Sequence, residues 1–557
     1  MTKAILEFRN VSIRYKDSDK LALHPLNLKV RSGESVGIVG ESGSGKTSVA
    51  LAIMGLLQGR ANVEGDIIFM GEWLNAKDKS TWEGIRWNRV SLVFQNASNI
   101  LNPMMKVLHQ VAEPMLKKGR RQAHERASKL LEEVGLEALW WEAYPGQLSG
   151  GMRQKVLIAM ALACEPELLI VDEPTMALDP MSKLQIINLL KTLQKRHRFG
   201  MIVISHEMKL IEALCKEVYV LYRGHHLEFG KVEEVMKTPR HPYSKGLVGA
   251  SWEIDAYRDI WGIPNYLRES VRGGCPFYSR CFQAVEACRK YEFTPLEIEN
   301  GQVVACKRGG IATLLDVRGI TKSYKVGKQK FCAVNQVSFE VAEGEVLTLI
   351  GASGSGKSTI ASVIAGIQHG DEGVVRFRGK EIEPLHIMRE RGGVQLVVQD
   401  PDSAMNANWK VFDILYEPMK WNLNYCKKGA LKHMKQMLRA VQLDDDEGFL
   451  QLRAGQLSGG EKQRIAIARA LLMSPKLLIA DEVSAMLDPS NAANLVKMLK
   501  EMQNKLGFSM IYITHDLYLA RKISDKTVIL ERGCVKQYGE SSAILDDAIE
   551  SIEAYAI

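Results

Sequence analysis

The chain has no long hydrophobic run. No stretch of its 557 residues approaches the roughly 18 consecutive apolar residues that a membrane-spanning helix requires. Near the N-terminus the apolar run Ala4-Ile5-Leu6 is broken by Glu7, too early for a signal peptide. The sequence therefore predicts that any membrane role depends on a partner protein.

A concentrated block of basic residues is also missing. Lys and Arg (73) outnumber Asp and Glu (65), which gives a formal net charge of +8, but the basic residues are spread among the acidic ones. A nucleic-acid-binding arm would concentrate its positive charge, so no nucleic-acid partner is expected. The nine cysteines, without a predicted secretory signal, favour reduced thiols in the cytosol.

The sequence contains a long internal repeat. Four motifs recur in the same order at a nearly constant displacement: 39–47 as 350–358, 147–151 as 456–460, 168–173 as 477–482 and 204–206 as 513–515. Such agreement predicts a duplicated domain, because internal repeats report repeated structural units. We expect copies at 1–240 and 313–557. The Cys-, Pro- and Gly-containing segment 241–312 is interpreted as a connector, or C-terminal extension of the first domain.

Each copy has the sequence context of a phosphate-binding loop. An apolar strand is predicted at 35–39 and again at 346–350, and each precedes a glycine-rich turn. A helix-compatible stretch follows each turn, at 48–56 and 359–367. Glycines allow backbone N–H groups to converge on a phosphate at a helix N-terminus. The pattern therefore predicts two nucleotide-binding sites.

The polar residues of these loops have distinct expected roles. Lys46 and Lys357 are predicted to reach the β- and γ-phosphates, and the hydroxyls of Thr47 and Ser358 are predicted to ligate Mg²⁺. The other nucleotide-binding residues predicted in and beside the loops are Gly40, Ser42, Gly43, Ser44, Gly45, Ser48, Gly351, Ser353, Gly354, Ser355, Gly356 and Thr359.

An acidic pair follows a buried strand in each copy. Asp172-Glu173 and Asp481-Glu482 each come after four apolar residues, as at the end of a parallel strand. The aspartates are predicted to hold Mg²⁺, and the glutamates are placed to orient or polarise the attacking water. An isolated pair of this kind is equally consistent with two solvated acids, but its recurrence behind a phosphate-binding loop favours catalysis.

Leu148-Ser149-Gly150-Gly151 and its repeat Leu457-Ser458-Gly459-Gly460 resemble the signature of ABC ATPases. The resemblance covers nearly the whole chain and implies two α/β P-loop NTPase domains of ABC type. Each would comprise a RecA-like core, an antiparallel β subdomain and a helical signature subdomain. The resemblance also implies Q-loop glutamines that ligate Mg²⁺, switch histidines, adenine-stacking tyrosines and aspartates at the boundary between sites: Gln95, Gln399, His206, His515, Tyr15, Tyr324, Asp179 and Asp488.

The family further implies that two such domains pack head to tail and share two ATP molecules. The first site would combine Lys46, Thr47, Gln95, Asp172, Glu173 and His206 with Ser458, Gly459 and Gly460. The second would combine Lys357, Ser358, Gln399, Asp481, Glu482 and His515 with Ser149, Gly150 and Gly151. Both sets are complete, so two hydrolysis-competent sites are expected within one chain. Met176 and Ala485 replace a serine usual in the family, which affects the expected communication between the sites.

The segments that follow Gln95 and Gln399, and the run Pro239–Ser244, resemble the peptide and nickel importer ATPases. The second copy lacks the His-Pro-Tyr run, so the chain resembles a fusion of two ATPase subunits. The implied function is the motor of a binding-protein-dependent importer for di- or oligopeptides, nickel or metallophores. Its partners would be two transmembrane permease subunits and an extracytoplasmic solute-binding protein. The implied location is cytoplasmic, peripheral on the inner face of the membrane.

Four cysteines cluster in the connector segment: Cys275, Cys281, Cys288 and Cys306. Their spacing lacks the C-x2-C pair of most zinc ribbons, and by itself it leaves a [4Fe–4S] cluster, zinc or unliganded thiols open. The resemblance to peptide-importer ATPases, which carry a similar Cys-rich tail with such a cluster, favours the iron–sulfur cluster.

A different class of protein also joins two such ATPase domains. Soluble twin-ABC proteins act on ribosomes or nucleic acid, and one group of them carries an iron–sulfur region at its N-terminus. The linker of this chain is rich in Cys, Pro and Gly and short of charge runs, which favours the importer.

Overall fold

The structure is a computed structural model. It describes residues 4–74, 79–94, 100–251, 262–263, 273–290, 295–297, 301–326, 329–382, 386–422 and 427–556. The chain divides into two compact units. The first contains the described residues up to 251 together with 273–277 and the described residues of 287–310, and the second contains 262–263, 278–286 and the described residues from 311 onwards.

The first unit is built from strands and helices in alternation. Its strands are β1 Ala4–Tyr15, β2 Leu21–Arg31, β3 Ser35–Val39, β4 Ala61–Phe69, β5 Glu72–Trp73, β6 Val90–Val93, β7 Leu168–Asp172, β8 Gly200–Ser205, β9 Glu217–Tyr222, β10 His225–Lys231, β11 Leu296–Glu297 and β12 Val303–Val304. Its helices are α1 Lys46–Ile53, α2 Lys79–Ile85, α3 Val107–Ala112, α4 Arg120–Glu133, α5 Gly150–Leu162, α6 Pro180–His197, α7 Met208–Leu214, α8 Val232–Lys237 and α9 Pro242–Gly249. Short 3₁₀ turns cover Glu113–Lys118, Ala138–Trp140 and Pro145–Gln147.

Two sheets organise this unit. A four-stranded antiparallel sheet has the order β2-β1-β4-β5, and an eight-stranded sheet has the order β11-β12-β10-β9-β3-β8-β7-β6. Strands β9, β3, β8, β7 and β6 run parallel. β3, β7 and β8 are buried at every residue, which explains their continuous apolar sequences. The carboxyl ends of β3, β7 and β8 therefore meet at one edge of the sheet, where the predicted loop, acidic pair and histidine follow them.

A helical region is inserted between β6 and β7. In α4 the buried residues Ala123, Ala127, Leu130 and Leu131 recur every three or four positions, so one face of the helix is apolar. α4 packs against α3 and α5, and the signature motif begins α5. The signature serine Ser149 is therefore held at the start of a helix in this helical region.

The second unit repeats this plan. Its strands are β13 Thr313–Val326, β14 Gln329–Ala342, β15 Val346–Ile350, β16 Glu372–Phe377, β17 Lys380–Glu381, β18 Val394–Val397, β19 Leu477–Asp481, β20 Ser509–Thr514, β21 Lys526–Glu531 and β22 Cys534–Glu540. Its helices are α10 Lys357–Ile364, α11 Val411–Asn422, α12 Lys427–Ala440, α13 Glu447–Gln451, α14 Gly459–Leu472, α15 Pro489–Leu506, α16 Leu517–Ile523 and α17 Ser541–Ala556, with 3₁₀ turns at Pro401–Ala404 and Ala454–Gln456. The sheet orders are β14-β13-β16-β17 and β18-β19-β20-β15-β21-β22.

The expected strands at 35–39 and 346–350 coincide with β3 and β15. The helices predicted at 48–56 and 359–367 begin and end earlier, as α1 and α10, because the lysine of each loop already has helical geometry. Each unit has the α/β core, antiparallel sheet and helical region that the sequence predicted.

The connector segment contains structure that its sequence did not predict. In the first unit β11 pairs with β12, and β12 pairs with β10 so that Val304 lies opposite Glu228. In the second unit, the Lys476 ammonium donates to the Phe282 carbonyl oxygen at 2.9 Å. Short 3₁₀ turns cover Tyr278–Arg280 and Glu286–Lys290. The pairing with β10 explains why so short a strand is stable: an existing sheet supplies its hydrogen bonds.

Over the described parts of the chain, no helix combines the length and the apolar character needed to cross a membrane.

Candidate nucleotide-binding sites

The first glycine-rich loop joins β3 to α1. Gly45 is the N-cap residue of α1 and has a φ of 98°. A Cβ atom at Gly45 would lie 2.6 Å from the Ala22 carbonyl oxygen, so a side chain is excluded by space as well as by backbone conformation. The first backbone N–H groups of α1 have no partner within the helix. They are therefore available to bind an anion at the loop.

A buried lysine lies in this loop. The Lys46 ammonium donates hydrogen bonds to the carbonyl oxygens of Gly40 at 2.7 Å and Glu41 at 3.0 Å. Only 8% of Lys46 is exposed. Burial lowers the pKa of Lys46, and the nearby carboxylates of Glu173 and Asp172 oppose that effect. A desolvated positive charge beside a helix N-terminus is a strong binding group for phosphate.

The donor set for a divalent cation is present beside the lysine. The Thr47 hydroxyl donates to the Asp172 carboxylate at 3.2 Å. Burial raises the pKa of Asp172, and the hydrogen bond from Thr47 opposes the rise. In the second unit burial likewise raises the pKa of Asp481, against a hydrogen bond from Ser358. A hydroxyl and a buried carboxylate in contact are hard oxygen ligands of the kind that Mg²⁺ prefers, so the residues present fit this ion.

The two candidate catalytic glutamates share an unusual backbone. Glu173 has a φ of 49° and Glu482 a φ of 46°, a left-handed conformation that non-glycine residues rarely adopt. Each peptide N–H is held by the neighbouring strand, Glu173 by the Ile204 carbonyl at 2.9 Å and Glu482 by the Ile513 carbonyl at 3.1 Å. Such a conformation costs about 1–3 kcal/mol and is typical of functional positions.

In the first unit, the Glu173 carboxylate is held by the end of β8. His206 Nδ1 lies 2.8 Å from Glu173 Oε1, and the Ser205 hydroxyl donates to Glu173 Oε2 at 3.3 Å. The hydrogen bond with Glu173 raises the pKa of His206, against the effect of partial burial. Ser205 belongs to the repeated motif 204–206, but the sequence predicted no role for it; its position immediately before the histidine was the available signal.

In the second unit, the Glu482 carboxylate has other partners. The Gln399 amide donates to Glu482 Oε2 at 3.1 Å, and the Lys357 ammonium lies 3.7 Å from Glu482 Oε1. His515 Nδ1 lies 4.0 Å from Glu482 Oε2, which is beyond hydrogen-bond distance. Among the described residues, the histidine is therefore within hydrogen-bond distance of the glutamate in the first unit but not in the second. Gln95 lies outside the described residues.

The signature serines are helix N-caps. The Ser149 hydroxyl accepts from the Met152 N–H at 3.3 Å at the start of α5. The Ser458 hydroxyl accepts from the Glu461 N–H at 3.4 Å, and the Glu461 carboxylate accepts from the Ser458 backbone N–H at 2.8 Å; together these bonds form a capping box at the start of α14. Each serine thus fixes a helix N-terminus, with Gly150-Gly151 or Gly459-Gly460 in its first turn.

The aspartates predicted at the boundary between sites are also N-caps. Asp179 accepts from the Ser182 N–H at 3.0 Å and begins α6, and Asp488 accepts from the Asn491 N–H at 3.1 Å and begins α15. Hydrogen bonding at the cap lowers the pKa of both aspartates. Their local role is therefore helix capping, and their role between sites stays a prediction.

The aromatic residues expected to stack on adenine lie beside the loop helices. The Tyr15 hydroxyl is 3.0 Å from the Ser48 hydroxyl in α1, and the Tyr324 hydroxyl donates to Gln368 at 2.6 Å, shortly after α10. The remaining predicted loop residues lie between β3 and α1 or between β15 and α10, with Thr359 in α10. Among the described residues, the buried Ser44 and Ser355 hydroxyls have no hydrogen-bond partner.

The described residues give no support to the metal site predicted at the connector cysteines. Cys281, Cys288 and Cys306 are buried and Cys275 is partly exposed. Within the described ranges, which include all four, no group of three or more His, Cys, Asp or Glu side chains is arranged to hold a metal ion. The [4Fe–4S] cluster expected from the resemblance is therefore not supported, because its ligands must converge on one point.

The sequence matches two known family descriptions. The ABC transporter description matches residues 23–176 and 334–485. The description of the C-terminal region of oligopeptide/dipeptide transporters matches residues 227–288. The chain therefore belongs to the ABC transporter family, as an ATPase of the oligopeptide/dipeptide transporter group.

Several curated proteins resemble it along nearly their whole length. The oligopeptide transport ATP-binding protein OppD of Mycobacterium tuberculosis (strain H37Rv) is 30% identical over 588 aligned residues, which cover 97% of this chain and 95% of that protein. The glutathione import ATP-binding protein GsiA of Escherichia coli (strain K12) is 31% identical over 563 residues, which cover 98% and 87%. Among solved structures, cbiO1 of Clostridium perfringens, part of the ABC transporter complex cbiONQ, is 28% identical with a TM-score of 0.38, covering 43% of this chain and 95% of that one.

Proposed function

We propose that this protein is the ATP-hydrolysing motor of a binding-protein-dependent importer for peptides. The observation that carries the proposal is the combination of two complete sets of nucleotide-binding residues with a peptide-transporter C-terminal region at 227–288. The relatives named above are an oligopeptide and a glutathione protein, which favours short peptides over nickel or metallophores. Two permease subunits and an extracytoplasmic solute-binding protein would complete the transporter, with this chain on the inner face of the membrane.

In the proposed reaction, the Lys46 ammonium and the loop N–H groups bind the phosphates of ATP. Thr47 and Asp172 would hold Mg²⁺, which would neutralise negative charge on the phosphates. The Glu173 carboxylate accepts a proton from water as the water oxygen bonds to the γ-phosphorus, and the bond from that phosphorus to the bridging oxygen breaks. His206, fixed by Glu173, is placed to donate to the γ-phosphate.

We further propose that each ATP is shared by a loop from one unit and a signature from the other. Each unit retains both a phosphate-binding loop and a signature motif, which supports two shared sites rather than one. Ser149→Arg should then abolish hydrolysis at the second site and Ser458→Arg at the first. If each substitution instead abolishes hydrolysis at the phosphate-binding loop of its own unit, the proposal that each ATP is shared between the units is wrong.

A groove in the second unit supports the proposed contact with a permease. It encloses about 870 Å³ and is lined by the segment after Gln399 and by α11 and α14. On one wall the Arg469 guanidinium donates to the Glu417 carboxylate at 2.7 Å and to the Ala404 carbonyl oxygen at 2.9 Å. Its lining residues Ser403, Ala404 and Met405 follow Gln399 by four to six positions, so a permease helix bound there would be linked to the metal contact proposed for Gln399.

The experiment is a pull-down of tagged protein carrying Glu173→Gln and Glu482→Gln from detergent-solubilised native membranes. It is performed with Mg²⁺ and ATP, and with ADP as the control. Two multi-span membrane proteins captured with ATP would support the importer, and their solute-binding partner would identify the cargo. Ribosomal proteins or nucleic acid in the eluate would contradict the importer and favour a soluble twin-ABC ATPase.

A further inference from the structure

An aromatic cluster lies beside the first nucleotide site, outside the predicted set of site residues. The ring of Tyr243 is 4.8 Å from that of Tyr222 and 5.5 Å from that of Phe277, measured between centroids. The His241 ring lies 5.7 Å from Phe277. Tyr243 is completely buried. Within the first unit, the cluster thus brings the run 239–244 into contact with Phe277, a later residue of the connector.

The hydroxyl of Tyr243 reaches the phosphate-binding loop. The backbone N–H of Glu41 donates to Tyr243 Oη at 2.7 Å. The carbonyl oxygen of Glu41 accepts from the Lys46 ammonium at 3.0 Å. Residue Glu41 is therefore held at both its N–H and its carbonyl, and one of the two holding groups is the lysine that binds phosphate.

The position of Tyr243 is itself fixed by buried hydrogen bonds. Its backbone N–H donates to His241 Nδ1 at 3.0 Å, which caps the start of α9. The backbone N–H groups of Arg240 and His241 donate to the Glu228 carboxylate at 2.9 Å and 2.7 Å. The tyrosine is thus delivered to the loop by a rigid turn anchored on β10.

The second copy of the sequence has no counterpart of this tyrosine. Ala352 corresponds to Glu41, and its carbonyl oxygen likewise accepts a hydrogen bond from the loop lysine, the Lys357 ammonium, at 3.1 Å. However, β22 is followed by α17, which begins Ser541-Ser542-Ala543, and the His-Pro-Tyr sequence is absent there. In the part of the chain that the structure describes, a tyrosine hydroxyl on this peptide is seen in the first copy.

We propose that Tyr243 is a positioning residue for the first nucleotide site. Its hydroxyl holds the Glu41 peptide so that the Lys46 ammonium and the loop N–H groups keep their phosphate-binding arrangement. The peptide-transporter C-terminal region thereby supports one of the two sites and makes them unequal in nucleotide affinity. The inference depends on the nucleotide-site assignment within the proposed function.

The test separates the two sites with loop-lysine variants of the full-length protein. Lys357→Ala leaves the first site to be measured, and Lys46→Ala leaves the second. Tyr243→Phe is added to each background, because it removes the hydroxyl and keeps the ring. Tyr222→Phe is the matched control, since it deletes the same group from another residue of the same cluster. Binding of MANT-ATP is followed by fluorescence, with thermal melting in parallel.

Tyr243→Phe should weaken MANT-ATP binding about two- to tenfold in the Lys357→Ala background, the range expected for one hydrogen bond. Binding in the Lys46→Ala background should not change, and Tyr222→Phe should have no effect on either site. Equal weakening of both sites, or none in either, would overturn the positioning role. If the Lys357→Ala protein binds no MANT-ATP even with Tyr243 intact, the first site itself is wrongly assigned, and the role of Tyr243 is overturned with it.

Discussion

Glu228 anchors the turn that carries Tyr243, and its removal should open that turn. The Glu228 side chain is completely buried. Its carboxylate accepts hydrogen bonds from the backbone N–H groups of Arg240 and His241 and, at 2.8 Å, from the Gln302 amide. These partners come from the segment before α9 and from the connector, so one carboxylate joins both segments to β10.

The cost of Glu228→Ala follows from the donors that it leaves behind. A buried donor without an acceptor costs about 1–3 kcal/mol, and three donors lose their acceptor here. Removal of a buried carboxylate recovers part of that cost, since its desolvation is unfavourable. We therefore expect a local loss of about 3–5 kcal/mol. Glu228→Gln keeps the shape and one acceptor oxygen, so its loss should be smaller.

Hydrogen–deuterium exchange with mass spectrometry measures this local opening directly. Peptides that cover 238–250 should exchange at least about 100-fold faster in Glu228→Ala, because each 1.4 kcal/mol is a factor of about ten. Peptides from α15 in the second unit provide the internal control and should not change. If peptides 238–250 exchange in Glu228→Ala at the same rate as in the wild type, the assigned anchoring role is refuted.

Three further predictions concern the chemistry of the sites. Glu173→Gln and Glu482→Gln should each lower the rate of phosphate release at their own site by about 10²-fold or more in single-turnover hydrolysis, because each removes a general base. Full activity in either variant would show that its site does not hydrolyse ATP. The pKa of His206, followed by NMR, should lie above 6.5 and fall in Glu173→Gln, since the hydrogen bond with that carboxylate raises it. The stability contributed by this pair is fully present below the pKa that His206 has in the unfolded chain, and it is lost as the pH rises through the higher pKa of the folded state. A His206 pKa that Glu173→Gln leaves unchanged would contradict the pairing. Gly45→Ala should abolish nucleotide binding at the first site in equilibrium dialysis, because its Cβ would lie 2.6 Å from the Ala22 carbonyl oxygen; normal binding would contradict the assigned loop geometry.

Much of the fold was predictable because the repeated motifs lie at the ends of buried parallel strands. The continuous apolar runs before Gly40 and Asp172 identified β3 and β7, and the glycine-rich sequence identified the turn between β3 and α1. The short strands β11 and β12 were not predictable, since two-residue strands have no periodicity and depend on the edge of β10. The iron–sulfur prediction found no support in the described residues, and cysteine spacing alone does not determine whether side chains converge.

The sequence alone determined the duplication, the α/β class and the residue types of both nucleotide sites, because these depend on local motifs that occur twice in the same order. The tertiary structure decided which described groups contact each candidate catalytic glutamate: His206 and Ser205 contact Glu173, and Gln399 contacts Glu482. It also decided that Tyr243 meets the phosphate-binding loop about two hundred residues earlier in the chain. Contacts across such separations depend on how sheets and helices pack, and no local pattern in the sequence specifies them.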